Sequence, residues 1–406
     1  MQGGAFLATT NVDIARPVTP PEILATARAL VDPLRDGAAD RDRDRTYPYE
    51  QLQLVRDSGL EALLVPEEYG GMGGTYMDEV RVVGILAEGD SSVAQIFHVH
   101  GTGVEICTQV APPELKKRFH EATVAKECRW SNAYSELGTK NIFEYSVKLA
   151  PDGDGFGLSG RKFYCTGSLG ADVMYVTAVI EGTDQLRLVL LDTNAEGVTI
   201  EDDWDGMGQV GTASGSTLLD NVRVETHQVV EMDGMANAES LFGPLGQLSF
   251  SAIHVGIAKA AWHDGLEYSR TKTRPWVHSG VDDAREDPIV QVRVGEMRTW
   301  LDAADTMQER ALDAMADSWA DPSAESRARA SVATSQAKAF STEAGLKVCE
   351  MLFQVCGSAA TLRARGFDRH WRNLRTLSLH DPADYKHKLV GDYYLTGNLP
   401  PVTAYT

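Results

Sequence analysis

The chain has 406 residues, 43% hydrophobic and 24% charged, with a formal net charge of −20. This is the composition of a soluble globular protein large enough for two or three packed units. The acidic excess excludes phosphate-backbone binding as the main business, because nucleic-acid binders cluster cations, and no run of about eighteen apolar residues marks a membrane span.

Residues 1–20 are rich in Gly, Thr and Pro and lack the basic flank and apolar core of a secretory signal. They read as a flexible arm, and the chain as cytoplasmic. The five cysteines (Cys107, Cys128, Cys165, Cys349, Cys356) are scattered and odd in number. None has zinc-knuckle spacing, so they read as reduced, mostly buried thiols, and no metal site is expected.

From residue 21 to 126 apolar residues recur every three or four positions, predicting a helical unit. The glycine cluster in Val65–Gly74 follows a helix rather than a strand, so it reads as a turn between helices, not a phosphate cradle. The apolar stretch from Val80 to Ala111 predicts a buried helix pair, with Asp90-Ser91-Ser92 capping the second. His98 and His100 are two apart on that helix, so they point in different directions and do not form one metal site.

Near Trp130 the texture changes. Over 127–237 short alternating runs broken by Gly, Asp and Asn predict an antiparallel barrel or sandwich. Helical periodicity returns over 238–406, and Ala316–Ser326 reads as a helix–helix loop. Gly366–Lys386 gathers Arg369, Arg372, Arg375 and Lys386 around His370 and His380, and His380-Asp381-Pro382 ends a helix. The residues leave two readings open: a surface helix closed by a capping turn, or an imidazole held for proton transfer.

This order of helices, β unit and helices resembles the acyl-CoA dehydrogenase superfamily. VPEEYGGMGG is similar to that family's first inter-helical turn, FYCTGSLGADVMYVTA to its flavin-contacting strand, and HVGIAKAAWHDGLEYSR to the start of its C-terminal bundle. The resemblance implies an α+β fold: an N-terminal helical domain, a middle antiparallel β-barrel and a C-terminal four-helix bundle, usually tetrameric, with flavin between the last two. Dehydrogenases of the family need a carboxylate base, from a C-terminal turn or an earlier helix. Here His380 stands in the turn position and GPLGQLSFSAIHVG has no acid, leaving Asp381 one step out of register.

RGFDRHWRNLRTLSLHDPADYK is very similar to the C-terminal motif of a monooxygenase branch, the dibenzothiophene monooxygenase type. SNAYSE, FYCTG, EDDW, SGST and TRPW followed by EDP recur in order. That branch takes reduced FMN from a separate NAD(P)H-dependent reductase, forms a C4a-hydroperoxide with O2, and oxygenates sulfur, nitrogen or carbon in a small molecule. The resemblance implies that His380 assists the peroxide, and that Thr166 replaces a serine near flavin N5 and keeps its hydroxyl. It implies that Asn132, Trp204 and Ser214 contact the flavin, and that Arg274 reaches a neighbouring subunit's FMN phosphate in a homotetramer. Tyr164 precedes Thr166 in the same motif and is placed toward substrate. Gln95 and Val99 stand where the branch carries a substrate-side histidine and tyrosine, and His98 or His100 is the candidate to take over that catalytic role. The adenine-side Gly-Gly pair of FAD-binding relatives is Gly357-Ser358 here, which favours FMN over FAD. The rival expectations are an FAD-dependent acyl-CoA dehydrogenase-type oxidoreductase and a non-catalytic flavin-binding protein.

Overall fold

The computed structural model describes residues 19–141, 144–232 and 239–406. The expected arm, apart from Thr19 and Pro20, and the expected junction at 237/238 lie outside the described residues.

Six helices come first: α1 (Pro21–Arg35), α2 (Ala38–Asp44), α3 (Tyr49–Asp57), α4 (Tyr76–Ala87), α5 (Ser91–Val110) and α6 (Pro113–Val124). The Val65–Gly74 stretch is a turn between helices, as predicted, closed by backbone bonds such as Gly74 N to Leu63 O at 2.8 Å. Asp90 caps α5 through Ser92 N at 3.0 Å and Val93 N at 3.3 Å. Thr75 and Asp78 form a capping box at the start of α4. With both ends anchored, α4 and α5 are buried as a pair over most of their length.

The β unit holds β1 (Trp130–Ala133), β2 (Lys148–Asp152), β3 (Gly155–Lys162), β4 (Val173–Ile180), β5 (Leu186–Asp192), β6 (Val198–Ile200), β7 (Thr217–Glu225) and β8 (Val229–Val230). They form one sheet in the order β6-β7-β3-β2-β4-β5-β8, with β1 added to β4. Most pairs are antiparallel, but β1–β4 and β2–β4 are parallel. Side-chain alternation has the same period in either orientation, so the pattern that marks the strands carries no sign of these two pairs.

The C-terminal unit is built on α7 (Phe242–Thr271), α8 (Pro288–Ala320) and α9 (Ala324–Cys356), completed by α10 (Asp368–Ser378) and α11 (Ala383–Thr396). The predicted loop at Ala316–Ser326 is shorter than expected. α8 runs to Ala320, and Ser323 starts α9 with a capping box to Ser326. The tail after α11 folds back over the bundle. The buried Arg327 guanidinium holds it by Pro400 O at 2.8 Å, Pro401 O at 3.1 Å and an oxygen of Thr406. No helix among the described residues is long and apolar enough to cross a membrane.

Candidate active site

A cavity of about 430 Å³ lies between α5, the sheet, the start of α7 and the returning tail. His98 and Val99 of α5, Asn132 of β1, Phe250 and Gln247 of α7, and His380 all line it. Gly246 faces open space, with nothing within 4 Å of the position a Cβ would take.

His380 sits just after α10, its ring 4.1 Å from that of Phe250 and 5.9 Å from that of Tyr405. Burial lowers its pKa, the nearby Lys338 cation adds to this, and Asp381 opposes both. The lowered pKa favours the neutral imidazole, and the residue lines the cavity. Asp381 is turned away. It receives Lys338 Nζ, and Lys386 Nζ at 2.8 Å, while Lys338 also reaches Gln247 Oε1. Burial raises the Asp381 pKa, but His380 and the two lysines outweigh it and hold the carboxyl far below the usual range. Asp381 is thus no base for the cavity. No Asp or Glu side chain lines it among the described residues. The segment of α7 that could have offered one, GPLGQLSFSAIHVG, supplies Gln247 and Phe250 instead.

A second cluster carries hydroxyls and amides. Thr166 Oγ1 lies 2.8 Å from Ser214 Oγ, which lies 2.8 Å from Thr212 Oγ1. Gln95 Nε2 approaches Thr166 Oγ1 at 3.5 Å, and Gln95 Oε1 accepts from Gln209 Nε2 at 2.8 Å. Gln209 O accepts from Trp204 Nε1 at 3.0 Å, and Gln209 N donates to Asn373 Oδ1 at 2.7 Å. Tyr164, Gln209 and Ala213 all have positive φ without being glycine (59°, 51° and 43°). Such conformations persist only where the surroundings over-determine them, and they gather at functional sites. Gly167, φ 78°, turns the chain directly after Thr166.

The predicted residues therefore fall into three groups. Gln95, Thr166, Trp204 and Ser214 share the hydroxyl–amide network. Asn132, His98, Val99 and His380 line the cavity. His100, Tyr164 and Arg274 belong to neither. His100 is buried: its Nε2–H donates to Glu61 O at 2.8 Å, and its Nδ1 accepts from Trp130 N at 3.1 Å. Burial lowers its pKa, so it is a neutral strut between α5 and β1 with no nitrogen left for catalysis. This corrects its candidacy, and it also explains its use. The strut sits two residues from His98 and two from Asn132, and it fixes how those residues face each other. Tyr164 is 47% exposed and packs on Trp204 at 5.9 Å rather than lining the cavity. Gln95 likewise faces Thr166 rather than the cavity. Arg274 is exposed and makes no hydrogen bond or ion pair among the described residues.

Glu79, Phe250, Lys338, Gln209 and Asn373 were missed. Glu79 had a visible signal, an acid inside an otherwise apolar stripe of α4, and so did Lys338 among the small residues of α9.

The residues fit a flavin. Asn132 Oδ1 is buried without a partner at the cavity wall, and Ser168 Oγ is likewise unpartnered two residues after Thr166. Buried acceptors and hydroxyls left unsatisfied are what a hydrogen-bonding ring edge would complete.

Residues 21–127 match the acyl-CoA dehydrogenase N-terminal domain and residues 248–385 its C-terminal domain. The chain is 34% identical to a dibenzothiophene monooxygenase of Rhodococcus erythropolis, over 93% of this chain and 94% of that one. Methanesulfinate monooxygenase from Pseudomonas fluorescens superposes with a TM-score of 0.88 at 33% identity, covering 96% of this chain and 100% of that one. FMN-bound TdsC of Paenibacillus sp. A11-2, a dibenzothiophene monooxygenase also solved with FMN and indole together, gives 0.90 at 30% identity, covering 95% and 100%.

Proposed function

The chain belongs to the acyl-CoA dehydrogenase family, in its flavin-dependent monooxygenase branch, and from that premise we propose how its residues serve the reaction. It is an enzyme that uses reduced FMN and O2 to oxygenate a small organic substrate. The observation that carries this reading is the cavity wall. Where a dehydrogenase needs a carboxylate, this wall offers the imidazole of His380, and the neighbouring Asp381 is neutralised by lysines.

Reduced FMN supplies the two electrons that let O2 give one atom to substrate and the other to water. The protein's part is binding and proton handling. Asn132 would hold the flavin ring through its unpartnered Oδ1, which accepts hydrogen bonds. Thr166 offers a hydroxyl whose orientation is set by Ser214 and Gln95. Trp204 and Ser214 support that side of the site. His380, neutral and lining the cavity with Asp381 Oδ1 3.6 Å from its Nδ1, takes up a proton at its other nitrogen and returns it. His98 is the second acid–base group. Val99 shapes the substrate wall.

Arg274 suits an FMN phosphate held across a subunit boundary. It is a free guanidinium beside Trp276 and Val277, which are 69% and 78% exposed. Such an apolar surface favours coverage by a second copy, in keeping with a homotetramer. The likeness to a probable FMNH2-dependent monooxygenase of Pseudomonas putida, 32% identical over 96% of this chain, supports reduced FMN arriving from a separate NAD(P)H-dependent reductase. A cytoplasmic location suits that supply. The deciding experiment mixes protein, FMNH2 and ¹⁸O₂ with aromatic heterocycles, sulfinates and amines. One labelled atom per product is expected. Tight retention of FAD together with flavin reduction by an acyl thioester would show a dehydrogenase instead.

A further inference from the structure

This inference rests on the oxygenase reading and names the substrate class of its cavity. Glu79 is fully buried in α4, and its two oxygens are held by different helices. Oε1 lies 2.9 Å from Nδ1 of His98, and Oε2 accepts from Ser249 Oγ at 3.1 Å. A buried carboxylate at Nδ1 keeps the proton on that nitrogen and leaves Nε2 as the acceptor. Nε2 makes no hydrogen bond among the described residues, and His98 lines the cavity. The cavity thus holds a base with its own orienting carboxylate, the pairing that makes an imidazole effective at proton removal.

The rest of the wall defines what that base meets. Tyr76, Tyr134, Tyr175, Phe242 and Phe250 make it aromatic, and no Lys, Arg, Asp or Glu lines it among the described residues. A substrate that arrives already charged would meet no charged side chain on this wall, which is costly, whereas an anion formed in place by proton transfer lies beside the His98 imidazolium. A neutral ring system suits these walls.

We propose that the substrate is a neutral aromatic bearing an ionisable O–H or ring N–H, and that His98 Nε2, oriented by Glu79 and Ser249, removes that proton. Deprotonation raises electron density on the adjacent ring carbon, to which one oxygen atom of O2 is delivered as a new C–O bond. The ring carbon then loses its hydrogen as a proton, and His98 returns its own to the substrate heteroatom. The second oxygen atom leaves as water with the two electrons of FMNH2. The net change is substrate C–H to C–OH, with FMNH2 and O2 becoming FMN and water.

The first test needs no flavin. 4-Nitrophenol, whose anion is yellow, is titrated into the protein at a pH more than about one unit below the phenol's own pKa, where less than about a tenth is ionised in buffer. The wild type should bind the anion, with at least a tenfold higher ionised fraction than in buffer. His98→Gln and Glu79→Gln should bind the neutral phenol, and either variant alone suffices if the other does not fold. With FMNH2 and O2, the wild type should oxygenate indole well and N-methylindole poorly, and His98→Gln should lose two to four orders of magnitude on indole alone. Failure of 4-nitrophenol to bind, a neutral bound phenol, or equal turnover of the two indoles overturns the proposal. An anion that forms in the wild type while neither indole gains oxygen keeps the base and sinks the oxygenase reading.

Discussion

Lys338 and Asp381 form a buried ion pair directly behind His380, and Lys386 completes a triad of two cations on one carboxylate. All three side chains are under a tenth exposed, at 3%, 9% and 4%. Removing the carboxylate strands two buried cations, whereas removing Lys338 leaves a balanced pair. Asp381→Asn should therefore cost about 3–5 kcal/mol of stability, and Lys338→Met clearly less. Urea denaturation of both variants checks the order, and the reverse order would mean the lysine, not the acid, anchors the loop.

Much of the site's neighbourhood was legible because it is written locally. The Asp90 cap, the Val65–Gly74 turn and the helix end at His380 each depend on residues a few positions apart. The histidine spacing already required His98 and His100 to diverge. Which one meets the cavity depends on Glu79 and Glu61, supplied by other elements, and no periodicity records such partners. Gln209 and Asn373 are bonded across 164 positions and left no trace at all. Glu79 is the instructive miss. Its place in an apolar stripe was visible, and a buried acid calls for a partner.

Arg274 tests the phosphate assignment. Its guanidinium is free among the described residues, so its loss should leave the fold of the chain unchanged. Arg274→Ala should weaken FMN binding roughly ten- to hundredfold, the worth of a charge-assisted hydrogen bond of about 1.5–3 kcal/mol, and leave riboflavin binding nearly as before. Isothermal titration with the two reduced flavins separates the cases. An equal loss for both would place Arg274 in assembly rather than in phosphate binding.

His254 sets part of the pH dependence of stability. It is fully buried on α7, with Nδ1 3.3 Å from Ser341 Oγ and Nε2 unpartnered. Burial, aided by the Lys338 cation, lowers its pKa from 6.5 to about 3. The unfolded chain takes up a proton below about pH 6.5 that the folded chain refuses down to about pH 3. Stability contributed by this group is therefore complete above pH 6.5 and falls by about 1.4 kcal/mol for each pH unit below it. His254→Gln should be less stable at pH 7 yet lose less on acidification, by one proton's worth of slope. Unfolding free energies measured between pH 7 and pH 5 give that slope directly. Parallel slopes for the two proteins would mean that the imidazole is charged in the fold.

His380 separates the oxygenase from its rivals. Its ring rests on Phe250 and faces the cavity, while the carboxylate beside it is committed to lysines. A neutral imidazole there can take up a proton and give it back, a role that begins only after O2 arrives. His380→Ala should therefore bind reduced FMN almost normally. Product formed per FMNH2 consumed should fall by one to several orders of magnitude, with the difference released as H2O2. His380→Glu restores a carboxylate where a dehydrogenase carries one, yet it should not restore oxygenation, because near pH 7 a carboxylate accepts protons rather than donating them. Rapid mixing of the reduced complex with O2, followed by separate assays for product and H2O2, reads the partition. If the alanine variant couples oxygen to product as fully as the wild type, His380 only closes a helix, and the proton work passes to His98 and Thr166.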